Sequence, residues 1–265
     1  MNHRIIMCDS LIKKITKKDL LFDGNYCLDP YQNCEYECKY CDSSLEKTVY
    51  IKINADKILE EEIEQLEKGV IIIGSVNDPY QESEKKYEIT KKLLKVLKRF
   101  DFPCHILTKS NLVLRDVELL KEMNCAVTIS IISLNKNITS LFEKNLPNSN
   151  NRVETLKSLI KNNIKAGVAL IPIIPYIIDD ELEEIIQKAH VINAQYFLHK
   201  YLQLMGDQKA EFIKTIQLKF PHLVATFEEL YRCSYRLNEN IESNYNKTIS
   251  ALCKKYNLSE KINIS

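Results

Sequence analysis

Apolar segments that alternate with amphipathic ones constrain the fold of this 265-residue chain more than any other feature. The clearest apolar segment, residues 70–73, contains only Val and Ile and ends at Gly74. Segments with apolar residues at helical spacing precede and follow it. A short apolar segment between two such helices is typical of a strand that is buried on both faces of a parallel sheet.

The same alternation continues along the chain and predicts the order of its secondary structure. Strands are expected at residues 49–53, 70–73, 104–108, 125–132, 168–174 and 195–202. Helices are expected at residues 56–67, 85–99, 115–123, 151–162 and 180–190. Strands that alternate with helices of about ten to fifteen residues form parallel sheets with right-handed crossovers. A doubly wound α/β sheet and a partial (β/α)6 barrel both have this pattern.

Beyond residue 204 the alternation stops, and only helices are expected, at residues 207–219, 223–231 and 242–256. We therefore expect an α/β domain with an N-terminal lead-in over residues 1–204 and a C-terminal helical cap over residues 205–265. The chain is long enough for one large domain with such an extension.

Composition indicates an ordinary globular protein, with 45% hydrophobic and 28% charged residues and a net charge of +1. The sequence has no run of about 18 apolar residues that could span a membrane. The first residues lack the apolar core of a secretory signal, so a cytoplasmic location is expected. The balanced charge gives no support for nucleic acid as a partner.

Three of the nine cysteines, Cys34, Cys38 and Cys41, form the pattern CxxxCxxC. This clustering and the odd count indicate metal ligation in a reducing compartment. A structural zinc site needs four ligands, usually in two close pairs, and no matching pair follows. Three thiolates on one loop suit a cubane iron–sulfur cluster with one iron free of protein ligands. Cys27, seven residues before Cys34, could in principle complete a four-ligand site.

Polar residues follow several of the predicted strands. Asp78 lies in the stretch after residues 70–73, Lys109 follows the next strand, and Ser130 lies near the end of the one after that. In a parallel barrel the active site lies at the carboxyl ends of the strands. We therefore expect these side chains to converge on one opening.

The cysteine pattern resembles that of the radical S-adenosylmethionine (AdoMet) superfamily. Four further stretches resemble its spore photoproduct lyase-like branch, often labelled DNA repair photolyase-like: residues 29–34 (DPYQNC), 74–81 (GSVNDPYQ), 107–116 (LTKSNLVLRD) and 168–175 (VALIPIIP). The resemblance extends from about residue 7 to residue 204. It favours the partial (β/α)6 barrel over the doubly wound sheet.

This resemblance implies an enzyme whose cofactors are a [4Fe–4S] cluster and AdoMet. Such enzymes reduce AdoMet to methionine and a 5′-deoxyadenosyl radical, which abstracts a hydrogen atom from the substrate. The implied partners are a substrate that the sequence does not identify and a low-potential electron donor that is flavodoxin- or ferredoxin-like.

The resemblance also implies site residues. Cys34, Cys38 and Cys41 would ligate the cluster, and Tyr40 would lie near the adenine of AdoMet. The residues that match positions holding the methionyl and ribose groups are Asn77, Asp78, Lys109 and Ser130, with Arg152 as a second cation and with Ile171 and Ile173 against the adenine.

Each assignment outside the cysteines has a structural alternative. Asp78 precedes a proline and could begin a turn, and Lys109 could be a solvated surface lysine. Taken singly, Asn77, Ser130 and Arg152 are more simply explained as structural residues.

One departure from the family pattern bears on the substrate. Spore photoproduct lyases have a hydrogen-donating cysteine three residues before the aspartate, and this chain has Ser75 there. An O–H bond is too strong for that role, which weakens the case for repair of thymine photoproducts. Such repair is therefore only an alternative function. A second alternative is a non-enzymatic iron–sulfur sensor or binding protein, with Cys27 as the fourth ligand.

Overall fold

The computed structural model describes residues 1–17 and 19–264. The strands within these residues are β1 (Asn2–Ile6), β2 (Lys13–Lys14), β3 (Tyr26–Leu28), β4 (Tyr31–Gln32), β5 (Thr48–Lys52), β6 (Ile71–Ile73), β7 (Cys104–Thr108), β8 (Cys125–Ser130), β9 (Lys165–Ile173) and β10 (Phe197–Tyr201). The α-helices are α1 (Ala55–Ile63), α2 (Glu84–Tyr87), α3 (Ile89–Arg99), α4 (Val117–Leu120), α5 (Lys136–Phe142), α6 (Ser149–Lys161), α7 (Leu182–Val191), α8 (Gly206–Lys219), α9 (Val224–Leu230) and α10 (Glu239–Lys255).

The main sheet has seven strands in the order β10-β9-β8-β7-β6-β3-β2. The pairs from β3 to β10 are all parallel, and β2 adds an antiparallel strand at one edge. The six parallel strands follow one another in chain order, with helices in the connections. The sheet curls into a half-barrel, and the prediction of a partial (β/α)6 barrel with a C-terminal helical extension is confirmed.

The first strand of this half-barrel is β3, and the prediction that residues 49–53 belong to the alternating barrel strands is wrong. That segment forms β5, which pairs with β1 and β4 in a separate three-stranded sheet. Only Val49 and Ile51 of β5 are buried, whereas all three residues of β6 are. Alternating burial suits a small sheet with one covered face, and continuous burial suits a barrel strand. β3 has only three residues, too few for a recognisable sequence pattern.

Two predicted helices differ from those in the structure. The helix expected at residues 85–99 is divided at Glu88, whose φ of 51° lies in the left-handed region. The helix expected at residues 115–123 is a 3-10 segment, Asn111–Asp116, followed by the single turn of α4. Helix α5 was not expected from the sequence.

The three C-terminal helices form close to their expected positions, and α8 packs beside the cysteine segment (residues 34–41). The ring of Phe212 on α8 stacks on Phe142 at a centroid distance of 5.6 Å and meets Phe227 at 5.2 Å. The side-chain amide of Gln208 on α8 donates to the carbonyl oxygen of Tyr40. The helical extension therefore shares its core with the barrel, and the division at residue 204 stays a prediction.

Across residues 1–17 and 19–264, none of the helices combines the length and apolar character needed to cross a membrane.

Candidate active site

A cavity of about 380 Å³ opens at the carboxyl ends of the barrel strands. It brings together four side chains that the sequence places far apart: Tyr40, Asp78, Lys109 and Ile171. Cys41 lies in the same wall, so the cysteine segment and the strand ends share one opening. The opposite side of the cavity is formed by the end of β10 and the start of the helical extension, with Lys200, Tyr201, Gln203, Met205 and Gln208.

Gly74 directly follows β6 and allows the next segment to turn into this cavity. Its φ is +87°, and a Cβ atom there would lie 2.4 Å from Pro79 Cδ and 2.6 Å from the carbonyl oxygen of Leu107. Only glycine adopts this conformation readily, and no side chain would fit between these two neighbours. The turn places the 75–78 segment against the end of β7.

The carboxylate of Asp78 is fixed by three donors. Its Oδ1 accepts from the Thr108 hydroxyl at 2.6 Å and from the Tyr80 amide at 2.9 Å, and its Oδ2 accepts from the Lys109 amide at 2.7 Å. Burial raises the pKa of Asp78, although these hydrogen bonds and the nearby Lys109 charge oppose the rise. Asp78 thus joins the ends of β6 and β7 and holds the backbone at Lys109.

The ammonium group of Lys109 lies in the cavity wall near the cysteine segment. Its Nζ is 5.9 Å from the centroid of the Tyr40 ring and, among the described residues, forms no hydrogen bond or ion pair. Burial disfavours the charged form, but the nearby Cys38, Glu143 and Asp78 outweigh it and raise the pKa of Lys109. Within the described part of the chain, the Lys109 ammonium group therefore has no direct acceptor, so it is suited to bind an anionic ligand group.

Cys34, Cys38 and Cys41 are all free thiols on one compact segment. The backbone amide of Cys34 donates to the Ser43 carbonyl at 3.0 Å, and that of Cys41 donates to the Cys38 carbonyl at 3.1 Å. Burial raises the pKa of Cys34 to about 12 and that of Cys38 above its usual range, and charge on the neighbouring thiols adds to both shifts. The three thiols are thus close enough to influence one another.

The donor set fits a cubane cluster better than it fits a closed metal site. Three thiols, with no histidine or fourth cysteine among residues 34–41, would leave one iron open, as such a cluster requires. Within residues 1–17 and 19–264, no three His, Cys, Asp or Glu side chains are already arranged to hold a metal ion. The assignment of these cysteines as cluster ligands therefore stays a prediction.

A buried ion pair anchors the cysteine segment. The hydroxyl of Tyr40 donates to Glu143 Oε1, and Glu143 Oε2 lies 2.6 Å from Arg152 Nη2. Both charged side chains are at most 2% exposed. Arg152 also donates to the carbonyl oxygens of Pro147, at 2.8 Å, and Ser130, at 3.1 Å. The structure thus engages Arg152 in internal contacts. Glu143 was not expected from the sequence, because no spacing links it to Tyr40 or Arg152.

Three other predicted residues do not line the cavity. Ser130 is fully buried, and its hydroxyl donates to the Ile171 carbonyl at 3.2 Å. Asn77 lines a different cavity, on the far side of Val76. Ile173 is also fully buried, so of the two isoleucines only Ile171 reaches the opening. These three residues lie behind the cavity wall or beyond it.

Ser75 and Cys27 meet near the boundary between the two cavities. Ser75 lines the cavity that contains Asp78 and Lys109, and its hydroxyl interacts with the Cys27 thiol. Cys27 itself lines the second cavity together with Asn77. The candidate fourth ligand, Cys27, therefore lines a different cavity from those that Cys38 and Cys41 line.

The family model for the radical SAM superfamily matches residues 28–189, which include the cysteine segment and the strands from β4 to β9. The chain belongs to the radical SAM superfamily. The uncharacterized protein MJ0683 of Methanocaldococcus jannaschii is 30% identical to it over 230 residues, which cover 83% of this chain and 86% of that protein. The uncharacterized protein Rv2578c of Mycobacterium tuberculosis is 23% identical over 274 residues, covering 96% of this chain and 80% of its own length.

Solved structures of other radical SAM proteins have the same fold. A spore photoproduct lyase variant superposes with a TM-score of 0.76 at 14% identity, covering 98% of this chain and 80% of the lyase. The Streptococcus suis protein SuiB, bound to its precursor peptide SuiA, gives a TM-score of 0.61 at 12% identity, covering 89% of this chain and 47% of SuiB. At these identities the likeness concerns the fold, and superfamily membership supports radical SAM catalysis.

Proposed function

We propose that this protein is a radical SAM enzyme that uses a [4Fe–4S] cluster and AdoMet to abstract a hydrogen atom from a substrate still to be identified. Cys34, Cys38 and Cys41 would ligate the cluster, and AdoMet would occupy the cavity at the strand ends. One observation carries this proposal: Cys41 and the ammonium group of Lys109 line the same cavity. The three thiolates would hold the cluster beside the cavity in which Lys109 can bind a carboxylate.

When bound, the cluster supplies the electron that splits AdoMet into methionine and a 5′-deoxyadenosyl radical. Lys109 would bind the carboxylate of the methionyl group through a charge-assisted hydrogen bond. Asp78 would act through its bonds to Thr108 and to the Lys109 amide, which fix the backbone that carries this cation. Tyr40 and Ile171 would provide aromatic and apolar walls for the adenine and exclude water from it.

The substrate and the electron donor are further parts of this proposal. The wall formed by Lys200, Tyr201 and Met205 faces the AdoMet side of the cavity and is available for the substrate. The electron would come from a low-potential donor that is flavodoxin- or ferredoxin-like. A second opening of about 400 Å³ borders Cys38 and Cys41 on another side and gives such a donor access to the cluster segment.

The two alternative functions have less support. A sensor with four protein ligands would need Cys27, which interacts with Ser75 and lines another cavity. Photoproduct repair would need a hydrogen donor at position 75, and the Ser75 hydroxyl lines the cavity there. An iron–sulfur sensor without AdoMet gives no role to the Lys109 cation in the cavity wall. Photoproduct repair would use Lys109 as the proposed enzyme does and differs from it in the substrate.

Equilibrium binding of AdoMet tests the role of Lys109. We expect anaerobically reconstituted Lys109→Gln protein to bind AdoMet roughly 10- to 150-fold more weakly, since a hydrogen bond to a charged group contributes about 1.5–3 kcal/mol. Lys188→Gln is the matched control, because Lys188 is an exposed lysine in the last turn of α7. Unchanged affinity in the Lys109 variant, measured by isothermal titration calorimetry, would contradict the proposed site.

A further inference from the structure

A second cavity, of about 260 Å³, lies on the far side of Val76 from the AdoMet cavity. Val76 lines both cavities, so the 75–77 segment is the wall between them. Four polar side chains from separate parts of the chain meet in the second cavity: Lys13 from β2, Asp29 from the end of β3, Lys52 from β5 and Asn77 from the loop after β6. None of them belongs to the proposed cluster or AdoMet site in this structure.

The positive charge in this cavity exceeds the negative charge. Lys52 is half-buried, and its Nζ donates to the backbone carbonyl of Asp29 at 2.8 Å, which is a neutral acceptor. Among residues 1–17 and 19–264, no carboxylate forms an ion pair with Lys52. The Asp29 carboxylate is engaged by the amides of Val76, at 3.3 Å, and Asn77, at 3.0 Å. One carboxylate thus lies beside two lysines that line this cavity, the half-buried Lys52 and the exposed Lys13.

Asn77 lies in the wall of the same cavity and carries an unsatisfied acceptor. Its side chain is 7% exposed, and its Oδ1 is buried without a hydrogen-bond partner. Buried polar groups in native proteins nearly always have a partner, so an orphaned oxygen needs an explanation. A rotation of the amide that turns Oδ1 towards an N–H or O–H of a molecule in the cavity would provide one.

We propose that this cavity is a second binding site, which takes the oxyanion group of a small molecule that also carries a hydrogen-bond donor. The ammonium groups of Lys52 and Lys13 would bind a carboxylate or phosphate, and Asn77 Oδ1 would accept a hydrogen bond from the donor. The volume of 260 Å³ equals about nine water volumes of about 30 Å³ each, so the group bound there is small.

Four probes separate the features of this site. Hydrogen phosphate and glycine each combine an oxyanion with a donor, whereas sulfate and acetate are matched oxyanions without one. We expect the full-length chain to bind phosphate at least about fivefold more tightly than sulfate, or glycine at least about fivefold more tightly than acetate. The pair that shows the preference identifies phosphate or carboxylate as the group recognised. Isothermal titration calorimetry at constant ionic strength measures all four affinities.

Three variants locate the binding. Lys52→Gln should lower the affinity for the preferred probe about tenfold or more, since it removes a charge-assisted hydrogen bond. Lys52→Arg keeps the charge and should retain binding. Asn77→Asp keeps the size of the side chain but adds a second carboxylate to the cavity, and it should abolish binding while the protein stays folded. Lys188→Gln is again the surface control and should bind as the wild type does.

Two results would overturn the proposal: equal affinity of wild type, Lys52→Gln and Asn77→Asp for the preferred probe, or no donor-dependent preference within either pair. These titrations use the full chain without AdoMet. A failure of the anion site is therefore distinct from a failure of the proposed radical chemistry.

Discussion

The ion pair between Glu143 and Arg152 gives the most demanding test of how the cysteine segment is held. The perturbation is Arg152→Gln, which removes the cation but leaves the Glu143 carboxylate buried against the Tyr40 hydroxyl. Arg152 is 1% exposed and makes three internal contacts, at 2.6, 2.8 and 3.1 Å. Removing one partner of such a pair costs about 3–5 kcal/mol, because the remaining charge is uncompensated. For a chain of this size, that loss corresponds to a fall of roughly 6–20 °C in Tm.

The assay is thermal unfolding of the cluster-free chain, followed by circular dichroism. The matched control is Lys157→Gln on the same helix, α6. Lys157 pairs with Glu154 at 2.6 Å, but these side chains are 44% and 67% exposed. An exposed pair of this kind contributes at most about 0.5 kcal/mol, so the control should unfold within about 2 °C of the wild type.

A double variant separates the ion pair from other contacts of the arginine. Glu143→Gln together with Arg152→Gln removes both charges, and it should be more stable than Arg152→Gln alone because no unpaired charge remains. The reasoning would be refuted if Arg152→Gln unfolded within about 2 °C of the wild type and instead lost AdoMet binding. That result would favour the role that the family resemblance implies for Arg152.

Two further predictions concern residues near the barrel wall. Burial lowers the pKa of His105 from 6.5 to about 3, because the folded protein disfavours the protonated imidazole. The free energy of unfolding is therefore highest above pH 6.5 and decreases as the pH falls towards 3. At about pH 5, urea unfolding should show a loss of about 2 kcal/mol in the free energy of unfolding (1.36 kcal/mol for each of 1.5 pH units). His105→Phe should remove this pH dependence. The control His190→Gln, at an exposed position, should keep it. Gly74→Ala should destabilise by about 2 kcal/mol or more, because its Cβ would meet backbone and proline atoms at a φ of +87°. Gly206→Ala, at a φ of +48° with no atom within 4 Å, should cost only about 1 kcal/mol, and equal losses would contradict this explanation.

Much of the fold could be predicted because the barrel strands are continuous apolar segments. The segment 70–73 is buried along its whole observed strand, and its periodicity differs clearly from that of the helices. The first barrel strand, Tyr26–Leu28, could not be found in this way, since three residues carry no periodicity. The break at Glu88 was equally hidden, because it depends on a left-handed backbone conformation at a residue with no sequence signal for one.

The site was predicted unevenly for a related reason. Residues at strand ends, such as Asp78 and Lys109, follow from the rule that parallel strands present their carboxyl ends at one opening. Asn77 is the neighbour of Asp78 in sequence but lines another cavity, because residues 74–77 form a bend in which side-chain directions do not follow from spacing. Arg152 and Glu143 meet only through the packing of α6 against the loop after α5, and no sequence spacing contains that information.

The most direct test of the central claim measures 5′-deoxyadenosine after anaerobic reconstitution with iron and sulfide, addition of AdoMet and reduction with dithionite. The proposed function predicts 5′-deoxyadenosine from the wild type and from Cys27→Ala, because Cys27 lies outside the cysteine segment. It predicts no product from Cys38→Ala. A reconstituted wild-type protein that binds AdoMet but releases no 5′-deoxyadenosine on reduction would contradict it, as would loss of the cluster in Cys27→Ala.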